Sequence, residues 1–180
     1  MRVITGKYKG RHFDVPRNFK ARPTTDFAKE NLFNMLRAYV DFEETRVLDL
    51  FCGTGSITLE FLSRGCPRVV SVEKDRAHFS FISQTLRALK DPAAQPLCGD
   101  ALKYVARSNE GFDLVFADPP YALPELPELP ERILGGEVLR PGGLLVLEHG
   151  KTLDFSDHPC FLEHRAYGSV NFSFFRRPEE

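Results

Sequence analysis

The chain has 180 residues and a mass of 20.4 kDa; it is 42% hydrophobic and 27% charged, which excludes intrinsic disorder and fits one domain with, at most, a short appendage. The cysteines (Cys52, Cys66, Cys98 and Cys160) are widely spaced with no CxxC, which argues against a disulfide scaffold or a structural zinc site and fits the reduced thiols of a cytosol. The longest apolar runs are four residues (114–117 and 144–147), and the opening MRVITGKYKGR lacks the apolar core of a signal peptide, so neither membrane insertion nor secretion is expected.

Net charge is only −1, but its distribution is uneven. Residues 1–24 hold Arg2, Lys7, Lys9, Arg11, Arg17, Lys20 and Arg22 against Asp14 alone. Such a head is either a solvated, flexible arm or a surface for phosphate backbones. It contains short β-like pieces (2–4 and 12–15) separated by Gly6, Gly10 and Pro16. Thr24 or Thr25 then caps a helix with Asp26 in its first turn and Ala28, Leu32, Met35, Leu36 and Tyr39 at helical spacing. From residue 46 strands and helices alternate: strands at 46–51, 68–73, 95–98, 112–117 and 144–148, helices through about 63, at 76–90, near 101–107 and near 125–135. Repeated βα units predict a parallel sheet with helices on both faces, and two closing β runs (160–167, 170–176) predict an antiparallel hairpin at its edge.

Two motifs stand at strand ends. In Asp49-Leu50-Phe51-Cys52-Gly53-Thr54-Gly55 the glycines allow a tight turn and close backbone approach to a ligand. A dinucleotide fingerprint would need glycine at 58, where Thr58 stands, so a pyrophosphate cradle is not supported. An acid before the turn and a second, Glu73, ending the next strand suit a nucleoside that carries an amino acid, with Glu73 on the ribose diol. The other motif, Asp118-Pro119-Pro120-Tyr121, follows an apolar strand, and its prolines fix a stiff turn. The exocyclic amine of a nucleobase is a poor nucleophile because its lone pair is delocalised into the ring. Hydrogen bonds from that amine to the Asp118 carboxylate and the Pro119 carbonyl would turn the lone pair out of the ring plane, while Tyr121 stacks on the base. Asp118 is expected to be exposed and ordinarily ionised at pH 7.

Together DLFCGTG and DPPY resemble the S-adenosylmethionine-dependent amino-methyltransferases of nucleic acids. The head narrows the resemblance. Thr5-Gly6-Lys7-Tyr8-Lys9-Gly10-Arg11, then Arg22-Pro23-Thr24-Thr25-Asp26 and Glu30-Asn31-Leu32-Phe33, are similar to the RsmD family, over essentially the full length. The resemblance implies a Rossmann-like class I methyltransferase fold: a mostly parallel seven-stranded sheet between helices, a C-terminal antiparallel hairpin and a short N-terminal β appendage. It divides the chain into a basic RNA-binding head (1–23) and a methyltransferase domain (24–180). It implies methyl transfer from S-adenosylmethionine to guanine N2 in 16S ribosomal RNA, free or in a small-subunit assembly particle, by a cytoplasmic, metal-free monomer. Asp49, Phe51, Gly53 and Gly55 would line the methionine end of the cofactor, Glu73 its ribose, and Asp100 and Ala101 its adenine. Asp118, Pro119, Pro120 and Tyr121 would form the catalytic tip. Lys7, Lys9, Arg11, Arg22 and Thr24 would contact RNA. Phe27 and Lys29 stand where arginines are frequent in the family, which weakens a phosphate contact at that helix's first turn.

Other readings compete. A DNA adenine-N6 methyltransferase would also use DPPY, but 180 residues leave no separate domain to read a duplex. A non-catalytic RNA-binding assembly module would show broken motifs, and both are intact; the basic head disfavours a small-molecule substrate. Cys52 is read as packing, since methyl transfer to an amine needs no nucleophilic thiol. His12, His78, His149, His158 and His164 have no ligand spacing, and Glu148 and His149 end a strand at the pocket's border.

Overall fold

Apolar stretches bounded by glycine and proline form strands, and the amphipathic stretches between them form helices, in a computed structural model that describes residues 1–20 and 23–180. In chain order they are α1 (Asp26–Leu36), β1 (Arg46–Leu50), α2 (Ser56–Ser63), β2 (Arg68–Glu73), α3 (Arg76–Leu89), β3 (Ala94–Cys98), α4 (Ala101–Arg107), β4 (Phe112–Ala117), α5 (Leu129–Leu134), β5 (Leu139–His149), β6 (Phe161–Tyr167) and β7 (Val170–Arg176). Thr25, not Thr24, caps α1, its Oγ1 accepting from the Ala28 N–H at 3.2 Å. Asp75 caps α3 by accepting from Ala77 and His78 at 2.9 and 3.0 Å.

The strands form one sheet in the order β3-β2-β1-β4-β5-β7-β6. The first five are parallel, and β7 runs antiparallel to both its neighbours. Alternate residues of each strand feed opposite cores. Leu114 and Phe116 pack with α1, α2 and α3 on one face, whereas Val115 and Ala117 pack with α4 and α5 on the other. Pro96 is tolerated in β3 because that strand lies at the sheet edge. The chain leaves the sheet in opposite directions from β1 and β4, and this topological switch opens a crevice at their carboxyl ends. Among the described residues no helix is long and apolar enough to cross a membrane.

The head is docked, not a free arm. Val3 is 1% exposed and belongs to the core under α1 and α2. The buried Glu60 carboxylate accepts from the Ile4 and Thr5 N–H groups at 2.9 and 3.0 Å, while the buried Lys29 ammonium donates to Arg2 O at 2.6 Å and Ser56 Oγ at 2.9 Å. Burial pulls the Lys29 ammonium below its ordinary value, and Glu60, 3.6 Å away, opposes that pull. Gly6 is required here: its φ is +95°, and a Cβ would meet Ser63 O at 2.1 Å. Tyr8 donates to Asp91 at 2.6 Å, and Lys7 pairs with the same carboxylate at 3.1 Å.

Three expectations need correction. The two β pieces of the head amount to a single bridge between Arg2 and His12. β5 begins at Leu139 rather than Leu144, with a register shift against β4 between Phe112 and Leu114. The predicted helix near 125–135 is a 3₁₀ turn (Leu126–Glu128) followed by the six-residue α5, because Pro127 and Pro130 lack the N–H groups a continuous helix would use.

Candidate active site

The carboxyl ends of β1, β2 and β4, with the turns that follow them and the start of α4, surround a cavity of about 830 Å³. The turn after β1 carries three residues of positive φ: Phe51 at 58°, Gly53 at 55° and Gly55 at 88°. Phe51 is the unusual one, a bulky residue in the left-handed region at a cavity wall, and such strain concentrates at ligand sites. Asp49, Phe51 and Gly53 line the cavity as expected. Gly55 does not; it is buried behind the wall, where a Cβ would meet Ile82 Cδ1 at 2.5 Å, so its service is to the packing of α2 on α3.

Asp49 is 1% exposed. One oxygen, Oδ2, accepts from Thr58 Oγ1 at 2.6 Å, and the other, Oδ1, is buried with no partner. Burial, with Glu73 nearby, raises its carboxyl to about 7. Thr58, at the position where a dinucleotide site would have glycine, therefore does something that glycine cannot: it orients this carboxylate. Ser71 supports it, 2.6 Å from the same hydroxyl. Neither was singled out from sequence, since both read as ordinary small residues inside an element.

Glu73 closes the turn, accepting from the Gly53 N–H at 2.9 Å through Oε1 and from the Asp75 N–H at 2.8 Å through Oε2. Each oxygen keeps a further lone pair. Asp100 caps α4 with one oxygen, accepting from Lys103 at 3.1 Å, and Ala101 lines the floor. Asp49, Glu73, Asp75, Asp100 and Asp118 all face this cavity, against Lys20 and Lys74. That acidic excess suits a ligand with net positive charge, such as a sulfonium that also bears an ammonium, and opposes a dinucleotide pyrophosphate. Cys52 also lines the wall, with its thiol pushed well up by burial and the adjacent Asp49, and is no nucleophile.

At the β4 tip the Asp118 N–H donates to Leu50 O at 3.3 Å, tying the DPPY turn to β1. Pro119 is buried, Pro120 exposed, and Tyr121 is 49% exposed with its hydroxyl donating to Glu148 Oε2 at 3.1 Å. The expectation of an ordinarily ionised, exposed Asp118 is wrong. The residue is partly buried, and burial, then the neighbouring Glu148 carboxyl, push its carboxyl well above the usual carboxylate range. The signal for Glu148 was its place at a strand end on the same sheet edge.

The head meets the cavity only at its base. Thr24 lines the wall with Lys20 and Pro23, and Phe19 packs edge-on against His78, another wall residue, with ring centroids 4.7 Å apart. Lys7, Lys9 and Arg11 are exposed away from the cavity wall. Arg22 lies outside the described residues. Lys29, buried beneath the head, is unavailable to a phosphate.

Comparison with known proteins agrees with this geometry. The family model described as Conserved hypothetical protein 95 matches residues 1–176. YlbH of Bacillus subtilis is 35% identical over 87% of this chain and 86% of its own. The Haemophilus influenzae protein named Ribosomal RNA small subunit methyltransferase D is 28% identical over 98% of this chain and 93% of its own. The solved structure of yhhF from Escherichia coli superposes with a TM-score of 0.86 at 28% identity, covering 100% of this chain and 99% of that one. With a family model spanning nearly its whole length and a class I methyltransferase sheet, this chain belongs to the RsmD family of S-adenosylmethionine-dependent methyltransferases.

Proposed function

We propose that this enzyme methylates the exocyclic N2 amine of a guanine in small-subunit (16S) ribosomal RNA. The observation that carries the reading is the DPPY tip, with Asp118 and Tyr121 on the wall of an acid-lined cavity. The name of the Haemophilus relative supports the choice of RNA. S-adenosylmethionine, when bound, supplies an electrophilic methyl group on a sulfonium that is already a good leaving group.

The protein's part is orientation and charge. Asp49, through its unpartnered buried oxygen, is the acceptor for the cofactor's ammonium group. Glu73 takes the ribose diol on its remaining lone pairs, and Asp100 and Ala101 take the adenine end. Phe51 and Gly53 bring backbone close to the methionine portion. At the other wall Asp118 and the Pro119 carbonyl accept the two N–H bonds of the guanine amine, so that its lone pair faces the methyl carbon. Pro120 stiffens the turn, and Tyr121 offers a stacking face to a base taken out of its helix. The basic head (1–23) acts as an RNA-contacting unit, through Lys7, Lys9, Arg11 and Arg22 with Thr24 at its base, attached to the methyltransferase domain (24–180). The enzyme works as a cytoplasmic monomer without metal. The sparse exposure of large apolar side chains among the described residues, limited to Phe27, Tyr121 and Leu162, supports the monomer.

The test is transfer of labelled methyl from S-adenosylmethionine to small-subunit RNA, free and in assembly particles, followed by nucleoside analysis. Label in N2-methylguanosine is expected. Label in N6-methyladenosine, or in no nucleoside of either substrate, overturns the reading.

A further inference from the structure

Register places one carboxylate beside the candidate catalytic one. In the parallel pairing of β4 with β5, Ala117 stands opposite Leu147, and both side chains enter the core beneath α4 and α5. The next residues, Asp118 and Glu148, therefore stand side by side at the sheet edge and emerge on the other face. Glu148 is 8% exposed; its Oε2 accepts from the Tyr121 hydroxyl at 3.1 Å, and its Oε1 is buried with no partner. We propose that Glu148 is a positioning residue of the base site: it forms with Asp118 a two-carboxyl pair that holds one proton, and with its other oxygen it fixes Tyr121.

The groups facing the pair leave no other way to balance it. Asp118 is faced by Glu148 and, farther off, Asp49; Glu148 is faced by Asp118 and Tyr121. His149, next in sequence, turns away to Ser173 Oγ at 2.7 Å and Gly150 O at 2.8 Å. Two adjacent carboxylates removed from water without a cation do not both ionise, and one retained proton bridges them. Both carboxyls are accordingly raised by burial, Asp118 further by Glu148. A proton on Glu148 Oε1 satisfies that orphaned oxygen and leaves Asp118 ionised toward the base.

This role rests on the proposed methylation of an exocyclic amine, and it completes the proton balance there. The N–C bond forms as the S–C bond breaks, with the electron pair passing to sulfur. The nitrogen then carries one hydrogen too many. The pair, entering the step with one proton and one negative charge, takes that proton and becomes neutral. It returns a proton to solvent after the product leaves. Tyr121, tied to the same pair, keeps its ring at the cavity wall throughout.

The test is a carboxyl ¹³C NMR titration of the unliganded protein labelled at Asp and Glu, alongside single-turnover methyl transfer over the same pH range. In the parent, Asp118 and Glu148 should both respond in two separated steps, one of them above the ordinary carboxylate range. In Glu148→Gln, which keeps shape and an acceptor for Tyr121, Asp118 should titrate in one step, with its upper midpoint lower by roughly 1–3 pH units. The breaks in the parent's rate profile should follow its titration and move with it in the variant. An Asp118 titration unchanged by Glu148→Gln overturns the pair, and a shifted titration with an unmoved rate profile overturns its part in transfer. If Glu148→Gln does not fold, Asp118→Asn read on the Glu148 resonance applies the same criterion. A parent that titrates as described but puts no methyl on guanine N2 counts against the substrate reading alone.

Discussion

Asp49 and Asp118 are both carboxyls at strand tips, and their surroundings assign them different work. Asp49, held at about 7 by burial, carries a proton below that pH and a charge above it. A cofactor bearing an ammonium favours the charged form, so its binding must expel the proton at lower pH. Cofactor affinity should therefore fall as pH drops below about 7, by up to about tenfold per unit. Asp49→Asn should bind more weakly and lose that dependence. Calorimetry at pH 6 and 8 decides it; equal parent affinities at the two values refute the ammonium assignment. Asp118 faces the base, and Asp118→Asn keeps its shape while replacing an anionic acceptor with a neutral amide. Loss of one preorganised electrostatic interaction should slow single-turnover methylation by roughly 10²–10³-fold with cofactor affinity unchanged. A rate within a few-fold of the parent would show that the amine is oriented by something else.

At the level of elements, what the sequence made legible was whatever local chemistry decides. β2 and β4 are apolar runs bounded by glycine, proline or charge, and α3 has its apolar face and its Asp75 cap written in order, so their bounds could be read within a residue. β5 could not. Pro141-Gly142-Gly143 has the composition of a turn, yet Gly142, at φ +79°, donates to Arg177 O at 3.0 Å from the distant C-terminal segment. The Asp118–Glu148 adjacency was hidden for the same reason, since it exists only in the register between two strands. Glu60 shows the effect most clearly. On a helix it reads as a solvated acid, but it is fully buried and holds Ile4, Thr5, Lys29 and Arg64 together. Glu60→Ala should thus leave a buried ammonium unpaired and two N–H groups without acceptors. The expected loss is about 3–5 kcal/mol, with Glu60→Gln milder because it keeps an acceptor. Urea unfolding measures both. A loss below about 1 kcal/mol for the alanine variant, the scale of an exposed ion pair, would mean that the head is not held through Glu60.

The molecule as a whole separates its charge: an acidic cavity for a cationic cofactor and a basic head for an anionic polymer. Deleting residues 1–22 cannot test the head's role, because Val3 is in the core, Glu60 and Lys29 would lose backbone partners, and Lys20 lines the cavity. Point changes on exposed cations can. Lys7 already shares its charge with Asp91, so Lys9 and Arg11 are the better positions. Lys9→Glu with Arg11→Glu should weaken RNA binding at low salt and flatten its salt dependence, the slope of log affinity against log salt falling by about one for each phosphate that is no longer neutralised. Cofactor affinity and thermal stability should stay near the parent's, because neither side chain touches the cavity wall or the core. The methylation rate at saturating RNA should also hold, with the loss appearing in the RNA concentration needed for half-saturation. Filter binding at several salt concentrations, with steady-state kinetics beside it, gives all these quantities. A parental salt slope and half-saturation in the double variant would make the head a structural clasp for α1 and α2, and would send the search for the phosphate-binding cations to the cavity rim at Lys20 and Lys74.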